Sequence, residues 1–434
     1  MSLITHTRIF RIALPIVLSN ATVPLMGAID TAVIGQLGSA TLLGAVAIGA
    51  IILSSLYWLF GFLRMSTSGL AAQSRGALDP AETSAILFRA LIIAGTAGLA
   101  LILLQGPIFW AALHLSPASA AVEANAQTYL SIRIWAAPAT IASYALTGWL
   151  IGLERTRSVL ALQLSQNLTN IALTLGFVLG LHWGIPGVAF ATLIAEFAGA
   201  ALGLWLTRDA FGPILKAALA RIRNRAALAR MFTASRDILL RTLLLQLCFT
   251  TFVFLGARFG DTTLAANEIL SQLFGITAFA LDGFAFAAET LIGQAIGARQ
   301  PAAVTRATTL TLQWGLGGAV LLSLILWTTG PTIIDLMTTA TDVRVDARAY
   351  LPWLIACPLI SFASWMFDGI FIGALLTASM LRAMALSVAV YAAGLAILVP
   401  IAGNHGLWAS LIILNSIRGL TLWRALPQVA AKAA

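Results

Sequence analysis

The sequence predicts an all-α polytopic membrane protein: twelve transmembrane helices in two six-helix lobes related by pseudo-two-fold symmetry. Three observations lead there. Of 434 residues, 60% are hydrophobic and only 9% are charged, where a soluble domain carries roughly 25% charge. The apolar residues form long continuous runs without period-2 alternation, which excludes a membrane β-barrel. The two halves of the chain also repeat. Gly38-Ser39-Ala40-Thr41-Leu42 aligns with Gly260-Asp261-Thr262-Thr263-Leu264, and Tyr129-Leu130, Gly148, Gly152 and Thr156 align with Tyr350-Leu351, Gly369, Gly373 and Thr377.

Apolar runs between breakers predict helices over 9–33, 44–72, 84–112, 125–151, 158–181, 185–207, 237–258, 263–295, 306–333, 346–373, 381–402 and 405–425. A span needs about 20 apolar residues, and lipid cannot satisfy an open backbone, so helices are required. Arg8 and Arg11 precede the first run, but that run is too long for a cleaved signal peptide and carries Pro15, Pro24 and Asp30. Twenty of the 25 Lys and Arg fall on one side, Arg89, Arg241 and Arg418 among them. Arg258, Arg344 and Arg348 fall on the other, and Arg64 and Arg133 lie within spans. This split places both termini in the cytoplasm. It also accounts for the net charge of +9 without a nucleic-acid partner.

Six spans per half give both halves the same orientation, so the repeat is parallel, with its axis along the membrane normal. The expected organisation is an N-lobe over 1–207, a basic amphipathic cytoplasmic linker over 208–236 and a C-lobe over 237–434. In the linker, Lys216, Arg221, Arg223, Arg225 and Arg230 interleave with Ile214, Leu215, Leu219, Ile222 and Leu228, a pattern that rests on anionic headgroups.

An ionisable group inside a span is costly and marks a candidate function. These are Asp30, Arg64, Arg133, Glu196, Glu268, Asp282, Glu289 and Asp368. Arg133 and Glu196 sit nearest the middle of their spans. Glu268, Asp282 and Glu289 fall within about 60° of one helix face and are expected to look into the bundle or cleft. Cys248 and Cys357 lie in apolar runs and read as buried thiols rather than a disulfide. His6, His114, His182 and His405 show no metal-ligand spacing. Enzymatic motifs are missing from the sequence: Lys216 and Lys432 are the only lysines, so there is no Walker lysine, and no His-Glu-x-x-His occurs. No cofactor or metal is expected.

Stretches on four of the expected helices bear a family likeness. Leu14-Pro15-Ile16-Val17-Leu18-Ser19-Asn20, followed by Asp30-Thr31-Ala32-Val33-Ile34-Gly35, resembles the first helix of multidrug and toxic compound extrusion (MATE) transporters. Phe62-Leu63-Arg64-Met65 with Thr67, Gly69-Leu70 and Ala72-Gln73 resembles helix 2 of the DinF-like branch. Residues 281–289 and 293–298 resemble its helix 8, and Asp368-Gly369 with Ile372-Gly373-Ala374 its helix 10. The likeness covers essentially the whole chain. It implies two lobes around a central cavity and export driven by entry of H⁺ or Na⁺. It also implies a coupling centre at Asp30, Asn170 and Thr192. Thr174 stands where the family often carries Asp, four residues after Asn170, so one carboxylate is missing and Asp30 is left as the titrating group.

The expected function is therefore an H⁺-coupled antiporter exporting small amphipathic or toxic compounds by alternating access. Protonation of Asp30 is its coupling step, and helix 1 bends at Pro15 and Pro24, where proline weakens the backbone ladder. Arg64, Arg133, Glu196, Asp282, Glu289 and Asp368 are candidates for the substrate cavity or gate. Na⁺ coupling and a flippase of a lipid-linked precursor are the alternatives. A monomer in the plasma membrane of a prokaryote, with the bilayer and small organic substrates as partners, completes the expectation.

Overall fold

Proline, glycine and polar caps punctuate the chain where the apolar runs end. The computed structural model describes residues 3–36, 39–114, 119–212 and 214–434; the side chains of 23–28, 30, 31 and 40 lie outside the described set. Helix α1 (His6–Gly35) runs through Pro15 and Pro24 as one helix. The second expected span is two helices, α2 (Ala40–Trp58) and α3 (Gly61–Gly76). The third is α4 (Pro80–Leu103) and α5 (Gln105–His114). The fourth is α6 (Ala120–Arg133) and α7 (Ala137–Gly152), joined by a 3₁₀ turn at Ile134–Ala136. Pro138, in the first turn of α7, withholds an N–H from that junction. The fifth is α8 (Thr156–Thr174), continued by a π turn at Leu175–Gly180, and the sixth is α9 (Gly184–Leu206).

The second half is less broken. After α10 (Leu215–Ile222) come α11 (Arg225–Gly256), α12 (Asp261–Gly297), α13 (Pro301–Met337) and α14 (Thr341–Gly373). Then follow α15 (Thr377–Ala402), α16 (Asn404–Ala425) and the short α17 (Pro427–Ala431). All twelve expected spans fall on helix, and no strand occurs among the described residues. Among those residues, nine helical stretches are long and apolar enough to cross a membrane. Cys248 and Cys357 are buried free thiols.

The linker differs from expectation. Its amphipathic helix is only α10; the basic residues from Arg225 onward belong to the first turns of α11. Asn224 causes this division, because its side-chain carbonyl accepts the Ala227 N–H and starts a new helix. Arg89 then holds α10. Its guanidinium bonds the carbonyls of Arg221 (2.6 Å) and Ile222 (3.3 Å) and pairs with Glu82 at 2.7 Å. Arg89 is thus buried and capping a helix C-terminus, not a free loop charge as the orientation count assumed.

The chain divides into two packed units. One comprises residues 18–75 and 79–231, the other 1–17, 76–78 and 232–434. The first seventeen residues therefore pack with the C-terminal unit, while α10 packs with the N-terminal one, so packing does not follow the cuts expected at 207 and 236. In the N-terminal unit the Arg155 guanidinium pairs with Asp209 at 2.5 Å and holds its carboxyl below the usual carboxylate range. That contribution is present at neutral pH and is lost as pH falls through the lowered pKa.

The repeat is visible in the packing of each unit. A Cβ on Gly148 would overlap the Arg64 carbonyl, and one on Gly369 would overlap the Ala285 carbonyl, 221 residues on in both partners. Gly152 meets the Ser68 carbonyl as Gly373 meets that of Glu289. Each half thus uses the same glycine pair for close helix approach. Gly148→Ala and Gly369→Ala are each expected to destabilise the purified protein by about 1–3 kcal/mol. Gly95→Ala, with open space at its Cβ, should leave thermal unfolding in detergent unchanged or slightly raised. Equal midpoints for all three variants would contradict this packing.

Candidate functional site

Helix α8 carries Gln163, Gln166, Asn167, Asn170 and Thr174 at spacings of three and four, which puts all five on one face. That face makes a polar seam inside the N-terminal unit. Asn167 Nδ2 donates to Thr22 Oγ1 of α1 at 2.7 Å, and Gln163 Nε2 to Asn167 Oδ1 at 3.2 Å. Asn170 Nδ2 donates to Thr192 Oγ1 of α9 at 2.8 Å, and that hydroxyl donates to the Val188 carbonyl. Gln166 Nε2 donates to Glu196 Oε2 at 2.6 Å. Asn170 and Thr174 are 0% exposed, and Thr192 is buried. The Asn170 Oδ1 acceptor meets no hydrogen-bond donor among the described residues. Thr174 is the last α-helical residue before the π turn, and such bulges recur at functional sites.

Three of the four expected coupling residues are thus brought together, with Asn170 and Thr192 in direct contact. The Asp30 side chain lies outside the described residues. Thr22, Gln163, Gln166 and Asn167 were not singled out in the sequence. Their signal was there: the polar period of α8 inside an otherwise apolar span.

A second cluster adjoins the seam through Glu196. Arg133 ends α6, and the Tyr57 hydroxyl donates to its carbonyl at 3.3 Å. The Arg133 side chain bonds the Tyr129 hydroxyl, and Glu196 lies within electrostatic reach. Tyr144 lies between the fields of Glu196 and Arg64. The sequence marks Arg64, Arg133 and Glu196 as candidates but not the tyrosines; Tyr129 lies one turn before Arg133 on α6, Tyr144 on the next helix, and Tyr57 on the distant α2.

The C-terminal unit is arranged differently. Glu268 is exposed and bonded to Gln272, Asp282 is half-buried, and Glu289 is fully buried. Burial along the expected stripe on α12 thus increases from Glu268 to Glu289. Glu268 sits about two turns into the helix, where water is within reach of a long side chain. Asp368 pairs with Arg241 of α11 and, at 3.7 Å, with Arg418 of α16. Arg418 also donates to Ser364 Oγ at 3.0 Å. Arg241 and Arg418 are 5% and 2% exposed. Both were counted as cytoplasmic loop charges; burial and a shared carboxylate put them inside the helical unit instead.

Twelve membrane helices, a repeat that packs alike in both halves and buried polar clusters within a helical unit define a polytopic membrane transporter. The chain belongs to the MATE family: its family model, MatE, matches residues 15–176 and 238–398, once in each half. The chain is 40% identical over 425 residues to DNA damage-inducible protein F of Escherichia coli, covering 96% of this chain and 91% of that one. It is 29% identical over 319 residues to a probable multidrug resistance protein NorM of Caulobacter vibrioides, covering 69% and 64% respectively. Its fold matches the Vibrio cholerae MATE transporter VcmN in the bent form with a TM-score of 0.84 at 20% identity, over 99% of this chain and 97% of that one.

The Asp368 cluster can be tested as a structural unit. Asp368→Asn leaves two buried guanidiniums facing each other and should cost about 3–5 kcal/mol. A double-mutant cycle with Arg241→Met should recover part of that loss, read from unfolding in detergent. Additive losses would show that the two side chains are not coupled.

Proposed function

We propose that this chain is an H⁺-coupled exporter of small amphipathic organic compounds, working by alternating access with Asp30 as the protonated group. One observation carries the reading. Asn170 is fully buried, tied through Nδ2 to Thr192, and left with an open Oδ1 acceptor. A buried open acceptor is costly, and a protonated carboxyl would satisfy it with an O–H donor. Asp30 stands on α1, whose Thr22 is already bonded to α8. Protonation would remove a charge from a helix that contains two prolines, and bending at Pro15 and Pro24 would couple it to release. The name of the Caulobacter relative supports multidrug efflux.

The same open carbonyl, with the Thr174 and Thr192 hydroxyls, also suits Na⁺, a hard cation that takes oxygen ligands. Transport into or out of proteoliposomes under separately imposed pH and Na⁺ gradients separates the two. A pH gradient alone should drive export, and Asp30→Asn should abolish it while the protein stays folded. Export driven only by Na⁺, or full H⁺-driven export by Asp30→Asn, would overturn the proton mechanism. Asn170→Leu removes the acceptor and should lower gradient-driven export at least about tenfold.

The proposal places the chain as a monomer in a prokaryotic plasma membrane with both termini inside. The two native thiols are buried, so single engineered cysteines report cleanly. A cysteine at Gly260 should react with an impermeant maleimide added to intact cells, and one at Asn224 should not. Labelling of Asn224 from outside would invert the topology.

A further inference from the structure

The N-terminal unit holds a buried cation that its scaffold does not need. Arg133 is 8% exposed, and its Nε and Nη1 donors meet no acceptor among the described residues. Keeping charged donors dry and open is costly, so something must recover the loss. The internal repeat supplies a built-in control. An offset of 221 takes Arg133 to Leu354, which is fully buried in the apolar core of the other unit. The same offset takes Arg64 to Ala285, whose carbonyl packs against Gly369 as that of Arg64 packs against Gly148. The equivalent helices therefore pack in this way with no cation at either place. Tyr129, the hydroxyl partner of Arg133, keeps its counterpart in Tyr350. Packing alone does not explain the arginine.

The backbone departs from the repeat at the same place. Arg133 ends α6 at a 3₁₀ turn. Tyr57, which bonds the Arg133 carbonyl, lies just before the gap between α2 and α3. Their equivalents, α12 and α14, run unbroken. Both interruptions fall near the middle of their stretches, 40–76 and 120–152. Broken helices at mid-depth are where membrane transporters place binding groups. The surroundings are three tyrosines, Tyr57, Tyr129 and Tyr144, with Arg64 and Glu196 in the same electrostatic neighbourhood. The open Nε and Nη1 of Arg133 are the charged donors here that lack an acceptor. Glu196 is itself occupied by Gln166.

We infer that this cluster binds the carboxylate headgroup of a singly charged amphipathic organic anion, through the open donors of Arg133. The tyrosine rings give an amphipath both apolar area and hydroxyls. A single guanidinium with two open donors matches one carboxylate and disfavours a cation. The substrate's amphipathic character rests on the export reading above; its sign does not.

Equilibrium binding without any ion gradient keeps the two apart. The full chain, purified into phosphatidylcholine nanodiscs at pH 8, is titrated calorimetrically with dodecanoate, methyl dodecanoate and dodecyltrimethylammonium. Dodecanoate should bind at least about tenfold tighter than either of the others. Arg133→Gln should erase that preference while leaving methyl dodecanoate within about twofold of wild type, and Arg133→Lys should keep part of it. A wild-type protein without the preference, or an Arg133→Gln variant that retains it, overturns the assignment. If Arg133→Gln does not fold, the three-probe comparison on the wild type decides alone. Replacing part of the phosphatidylcholine by phosphatidylglycerol distinguishes the source of the anion. Unchanged dodecanoate affinity supports a free amphiphile, and competitive loss transfers the site to a lipid headgroup. Failure of H⁺-driven export in liposomes would leave these affinities untouched, and loss of the affinities would leave proton coupling standing.

Discussion

A bilayer offers its guests no hydrogen bonds, and that deficit organises this molecule. Backbone amides within the spans must find partners inside the protein, so the chain is helical through its apolar runs apart from short breaks in the second, third and fourth. The same deficit governs side chains. A polar group inside a span is retained only where another polar group meets it, or where an incoming ligand or ion will. The Asp368, Arg241 and Arg418 cluster is the first case, with charges from three helices gathered around one carboxylate. Asn170 and Arg133 are buried with polar atoms open, and the proposals above read them as the second.

The two halves solve the packing problem in the same way and the chemical problem differently. The glycine pairs at 148 and 152 and at 369 and 373 let helices touch carbonyl to Cα in both units. Shared geometry of this kind lets side-chain chemistry diverge on a fixed frame. In the C-terminal unit α12, α13 and α14 are long and continuous. In the N-terminal unit each equivalent stretch is interrupted, and the fifth span ends in a π turn. Interruption frees backbone groups and re-aims side chains, so the unit that gives up regularity also collects the polar seam.

Helix α1 carries a constraint of its own. Its first seventeen residues pack with the C-terminal unit, while the remainder belongs to the N-terminal one. Gly283 has Ala13 and Val17 against its Cα, which fixes the early turns. Further along, Thr22 is bonded to α8. One proline lies in each portion, so the helix with the candidate coupling carboxylate is also a covalent tie between the units.

Composition and periodicity alone determined the membrane environment, the twelve helices and the repeat. Those properties follow from hydrophobic run length and from local rules that read a few residues at a time. Ionisable residues inside apolar runs were equally legible, because burial of charge is improbable enough to stand out one residue at a time. The pairing of those residues was not. Arg241, Arg418 and Arg89 sit near helix ends in the sequence and read as loop charges, and only packing shows them buried. Of the tyrosines around Arg133, Tyr129 stands one turn before it on α6, but Tyr57 lies more than seventy residues away on α2, which no local period reports. The gaps in the second and fourth spans likewise escaped, since continuous apolar sequence does not reveal where a helix gives up its ladder. Sequence thus determined which groups must be buried, through the cost of leaving lipid unsatisfied. Tertiary structure decided which of them meet, because that depends on the distance between chain segments that share no local pattern.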